Sequence, residues 1–118
     1  MKKVLIASLC LAFGSTAFAA TTNKALAAGS NTVDKATSCP LLSEDVKVTL
    51  STGNIGNVSC DSTTANIGVA VGNTSGKGKI YSVGSNGGKI TETATTGGAA
   101  PDATAVGTQA DARSAETS

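Results

Sequence analysis

The chain contains no histidine and no tryptophan, only two prolines, and three aromatic residues in 118. Each shortage removes something. Without histidine, a Ser-His-Asp triad and a Cys-His pair are excluded, as are the metal sites that depend on imidazole. The charge balance is nearly even, at a formal +1, so there is no basic surplus to hold a phosphate backbone, and nucleic acid is not an expected partner. No cofactor motif appears, and the expectation is a protein that is not an enzyme and carries no cofactor or metal.

What is present begins at residue 1. Lys2 and Lys3 precede a short apolar run from Val4 to Phe13, and Ala17-Phe18-Ala19 supplies the small-x-small pattern of a signal-peptidase site. The run is shorter than the roughly 20 apolar residues a membrane-spanning helix needs. Residues 1–19 therefore read as a bacterial-type signal peptide, with cleavage between Ala19 and Ala20 and no stable membrane span afterwards. Periplasm, cell surface and extracellular medium are all open destinations. Leu9 before Cys10 is too bulky for a lipid-attachment site, so Cys10 is read as part of the apolar run. Loss of Lys2 and Lys3 leaves seven basic residues against eight acidic, a net charge near −1. Tyr81 becomes the only aromatic residue.

Cys39 and Cys60 remain. An even number of cysteines in an exported chain reads as a disulfide, and its loop length implies about 3 kcal/mol of stabilisation. A redox or metal role lacks the CxxC spacing and further ligands.

Four stretches follow from composition: the signal, a flexible leader over 20–37, a β domain over 38–96 and a disordered tail over 97–118. The leader has only Leu26 and Val33 as large apolar residues; its alternative role is a donor strand for a neighbour. In the domain, Val46, Val48 and Leu50 alternate with Lys47, Thr49 and Ser51, the period-two pattern of a half-buried strand. Gly53-Asn54 is a turn, and Ile55 to Cys60 an irregular second strand. Ile67, Val69 and Val71 form one face of a third strand, whose other face, Gly68 and Ala70, is nearly bare. That bareness suggests close approach of another backbone. Lys79 to Val83 is a fourth strand, Ser85-Asn86-Gly87-Gly88 a tight hairpin signal, and Lys89 to Thr95 a fifth. The tail offers only Val106 and Ala residues, too little to offset chain ordering. The expected fold is all-β: a small antiparallel sandwich or partly open barrel of about five short strands, with disordered N- and C-terminal segments.

The core available to such a domain is thin: Leu41, Leu42, Val46, Val48, Leu50, Ile55, Val58, Ile67, Val69, Val71, Ile80, Tyr81, Val83 and Ile90. Small domains of this kind need a staple or a partner, and open sheet edges are templates for another chain. This favours a structural or interaction protein that associates with itself or with an envelope protein. The alternative is a monomeric module for a glycan, small ligand or partner protein, with Asn73, Lys77, Tyr81 and Asn86 on its binding loops. Tyr81 also reads as a core residue. Glu44 and Asp45 read as solvated, or as a shallow cation site. Gly72 to Gly78 has one residue too few for a phosphate loop and reads as a β-turn. Asn57-Val58-Ser59 and Asn73-Thr74-Ser75 match the glycosylation sequon and are read as chance matches. The strands lack the regular Gln/Asn repeat of curli-type subunits, and the chain lacks the long apolar helix of type IV pilins.

Overall fold

The computed structural model describes residues 21–116; the signal peptide, its cleavage site and the last two residues lie outside them. Seven strands run in chain order: β1 Thr21–Leu26, β2 Gly29–Val33, β3 Val46–Leu50, β4 Asn54–Asp61, β5 Asn66–Asn73, β6 Lys79–Gly84 and β7 Thr91–Ala94. They are followed by one helix, α1, Ala103–Ser114. Five strands form an antiparallel sheet in the order β1-β4-β5-β6-β7, and β2 and β3 form a separate antiparallel pair. The mostly-β antiparallel class is as the alternation implies, and all five expected strands are present.

The two sheets stack because the chain turns a corner between them. Only Ala27 and Ala28 separate β1 from β2, and Gly29 takes a left-handed φ of 97° there. Asn31 holds the corner closed. Its Oδ1 accepts from the Ala27 N–H at 3.0 Å, and its Nδ2 donates to the carbonyls of Ala27, Gly29 and Val48. The pair β2-β3 therefore lies over β1, β4 and β5. Between the layers sit Leu26, Val33, Cys39, Val58 and Cys60, with Leu42, Val48, Leu50, Ile67 and Val69 packed against them. The Cys39–Cys60 disulfide, Cα–Cα 5.4 Å, ties the β2–β3 loop to the end of β4.

On the other face of the large sheet lies α1, over Ala70 and Ile80, with Val106 and Ala110 pointing inward. Its backbone rests on glycines: a Cβ added to Gly68 would come within 2.0 Å of the Ala110 carbonyl oxygen and 2.6 Å of the Ser114 nitrogen. The close approach expected at the bare face of β5 is present, and the approaching backbone is this helix.

Four expectations are corrected. The leader over 20–37 contains β1 and β2; polar strands such as Thr21–Leu26 order because the edge of β4 satisfies their backbone groups over the full strand length. The tail over 97–118 contains α1, started by Asp102, whose side chain accepts from the Ala105 N–H at 2.8 Å. Its end is held by side chains: Thr64 donates to the Ser114 carbonyl at 2.6 Å, and the Asn66 and Asn86 amides both reach the Glu116 carbonyl. The Asn86-Gly87 hairpin is not tight. Residues 85–90 form the loop, and Gly88, not Asn86 or Gly87, takes the positive φ. Tyr81 is not a core residue; it alternates onto the side opposite the buried Ile80 and Ser82 and is 48% exposed, as Ile90 is at 69%. Leu41 and Val46 are exposed too.

Candidate functional site

Strand register builds the site. Val58, Val69, Val83 and, one step along, Val71 and Tyr81 stand opposite one another across β4, β5 and β6. All point to the face that carries β2-β3, because successive strand residues alternate. The small sheet covers the β1-β4-β5 side only. Over β6 the apolar floor is open.

Three depressions join across that floor. The first, 140 Å³, is the seam between Val33 of β2, Leu42, and Val46 and Val48 of β3 above and Val58, Ile67 and Val69 below them. The second, 170 Å³, shares Val69 and adds Val71, Tyr81, Val83 and Ile90. The third, 390 Å³, shares Val71 and Tyr81 and ends on Asn54, Asn73, Lys77 and Lys79. They make one apolar groove with a polar end.

The groove is also polarised in charge. At the Val46 end the chain has just passed Glu44 and Asp45; the Asp45 carboxylate accepts from the Lys35 N–H at 2.9 Å, and the Lys35 ammonium reaches the Ser43 carbonyl at 3.5 Å, so these two carboxylates outnumber the one cation beside them. At the other end are Lys77 and Lys79. Lys79 pairs with Glu92 of β7 at 2.7 Å. That hydrogen bond, then the Coulomb attraction, raises the Lys79 ammonium above its ordinary pKa. The same bond, followed by one from the Tyr81 hydroxyl, holds the Glu92 carboxyl below the usual carboxylate range.

Of the residues expected on binding loops, Asn73, Lys77 and Tyr81 are brought together at this polar end. Asn86 is not; it sits on the helix side and clamps Glu116. Sequence reasoning missed Val46 and Ile90 as groove walls. The available signal was the alternation of β6, which puts Tyr81 and Val83 on the side away from Ile80, with too few apolar residues elsewhere to cover both faces.

Other candidates resolve into structure. The turn after β5 spends its amides internally: Ser75 N–H donates to the Asn73 side chain and Gly76 N–H to the Asn73 carbonyl, both 2.9 Å. A strand, not a helix, follows it, so no helix terminus faces a phosphate there. Ser59 is fully buried and donates to Asp111 at 2.6 Å, with the Ser114 hydroxyl 3.0 Å away. The hydroxyl is closed off from solvent between Asp111 and Ser114, and the cluster pins α1 to β4. Asn57 of the first sequon is buried, whereas Asn73 of the second is exposed. Among the described residues, no group of three acidic or cysteine side chains could hold a metal ion. No helix there is long and apolar enough to cross a membrane. The disulfide is compatible with an oxidising, exported location.

The chain matches no protein-family model, and no curated protein or solved structure matches it.

Proposed function

We propose that this is an exported, non-enzymatic structural or interaction protein of the bacterial envelope or the extracellular space, working through the uncovered half of its central sheet. The observation that carries this reading is the apolar face of Val69, Val71, Tyr81, Val83 and Ile90 left open beside β3. A small domain that leaves such residues contiguous, with Tyr81 and Ile90 exposed and Val69, Val71 and Val83 half-buried, keeps a surface for association. The signal-like start and the disulfide support export, and the lack of histidine supports a role without catalysis.

Self-association is one form of this role, through that face or through the open sheet edges at β1 and β7. A monomeric module for a glycan, small ligand or partner protein is the other, and the grouping of Asn73, Lys77 and Tyr81 favours it. Sedimentation of the chain from Ala20 over a wide concentration range separates them. Oligomers that vanish in Tyr81→Lys and Ile90→Lys, with unchanged circular dichroism, establish self-association through the groove. Oligomers that persist in those variants place it at the edges. A monomer at every concentration leaves the binding module.

A further inference from the structure

The small sheet is one strand too narrow for the floor beneath it. β3 has a strand neighbour on one side only. Apart from β2, whose Asn31 amide reaches the Val48 carbonyl, no described backbone group bonds to it. Its free side opens onto the groove: Val46 and Val48, with Val33 of β2 and Leu42 of the intervening loop, roof the seam, and Val58, Ile67 and Val69 form its floor. Neighbouring strands sit about 4.8 Å apart and stacked sheets about 10 Å apart. A strand added beside β3 would therefore lie at packing distance above β5 and β6.

We propose that this groove binds an extended segment of another protein, which adds to β3 in antiparallel register as a third strand of the small sheet. This rests on the interaction reading above and names the partner class. Alternate apolar side chains of the segment cover Val69, Val71, Tyr81 and Val83. Backbone pairing with β3 supplies affinity and the floor supplies selectivity, as in other strand additions.

Charge sets the direction. β3 starts beside Glu44 and Asp45 and ends at Leu50, whose Cδ1 lies 3.4 Å from where a Gly56 Cβ would be. Gly56 pairs with Val71, towards the lysine end. An antiparallel segment thus begins beside Lys77 and finishes beside Glu44 and Asp45. Lys79 is engaged by Glu92, while Lys77 makes no hydrogen bond or ion pair with a described residue. The matching segment has acidic residues before its apolar alternation and basic ones after it.

A second copy does not fit this slot. Antiparallel pairing of β3 with its own copy places a two-fold axis normal to the small sheet, and the two five-stranded sheets then occupy the same space. The chain's own Val4 to Phe13 carries no acidic flank and leaves with the signal.

The test titrates synthetic peptides into the isotope-labelled chain from Ala20, which holds every described element. The probe is Asp-Glu-Val-Thr-Val-Thr-Ile-Lys-Lys. The controls are Lys-Lys-Val-Thr-Val-Thr-Ile-Asp-Glu and an N-methylated copy of the probe. The probe is expected to shift the amides of Val46 to Leu50 and of Val69, Tyr81 and Val83. The reversed peptide should bind about tenfold more weakly, Lys77→Glu should narrow or invert that preference, and N-methylation should abolish binding. Shifts confined to β1 or β7, or equal binding of both charge orders, overturn the inference. Absence of peptide binding with self-association that Tyr81→Lys removes overturns it while the interaction reading stands. Neither binding nor association removes both.

Discussion

The two faces of the central sheet are covered by opposite means. The helix face presents Gly68, Ala70 and Gly72 of β5, Ser82 and Gly84 of β6, and Ser59 of β4, all buried. The other face presents Val58, Ile67, Val69, Val71, Tyr81 and Val83, and several of these are half-buried or exposed. The better sealed face is the one with the smallest side chains. Sealing depends on how closely two backbones can approach and interdigitate, and glycine lets α1 descend onto β5. Large apolar residues seal only where a second layer is wide enough to meet them.

That contrast breaks most sharply at Gly68. Gly68→Val would drive its side chain into the Ala110 carbonyl, the Ser114 amide and Arg113. The expected cost is about 3 kcal/mol or more, with loss of helical signal, read by chemical denaturation and circular dichroism. An unchanged midpoint would mean that the helix is not seated there. On the opposite face the staple matters most. Replacing Cys39 and Cys60 together by Ser is expected to cost about 3 kcal/mol and to loosen β2-β3 before α1, visible as faster amide exchange in β2 and β3 only. Uniform exchange would show that the two layers fold as a unit. Asp102→Ala, which removes the helix cap, is expected to cost about 1 kcal/mol and to lower the thermal midpoint without altering the groove. Tyr81→Lys is expected to change stability by less than about 0.5 kcal/mol, because its ring is half in solvent; a large loss would place Tyr81 in the core after all.

The smallest effect is electrostatic. The folded Glu92 carboxyl titrates below its unfolded value, so its contribution is present above the unfolded pKa and disappears as pH falls through the folded one. The folded Lys79 ammonium titrates above its unfolded value, so its contribution is complete below the ordinary lysine pKa and disappears as pH rises through the raised one. Pairing of β6 with β7 should be tightest between those limits. Amide exchange of Thr91 to Ala94 against pH checks this, and Lys79→Met should flatten the profile. Both groups are exposed, so salt should weaken the effect.

Much of the fold was legible. Alternation located β3 to β7, cysteine parity located the staple, and the bare face of Gly68 and Ala70 implied a close neighbour. The neighbour itself was not legible, because Ala103 to Ser114 has one large apolar residue and no apolar stripe. Its packing uses alanine against glycine, a match visible only once both surfaces are known. Asp102 after Pro101 was the available signal for its start. β1 and β2 were not read as ordered strands for a related reason: their order comes from pairing with β4 and β3, from the Asn31 corner and from a single buried apolar residue each, Leu26 and Val33, too few to show a strand pattern. At the site, Asn73, Lys77 and Tyr81 were legible because they flank one turn and the adjoining strand. Asn86 lies apart from them, on the helix side, because a hairpin signal does not say on which side of the sheet the loop's side chains will act.

The chain makes the strands before it makes their cover. Ser59 is joined to Ser114 across 55 residues, so a polypeptide emerging from the ribosome, or being threaded through a pore, carries the glycine-lined face bare until α1 has followed. The second core cannot close early. Closure of that face waits for the helix, whereas the core between the two sheets contains no residue of α1.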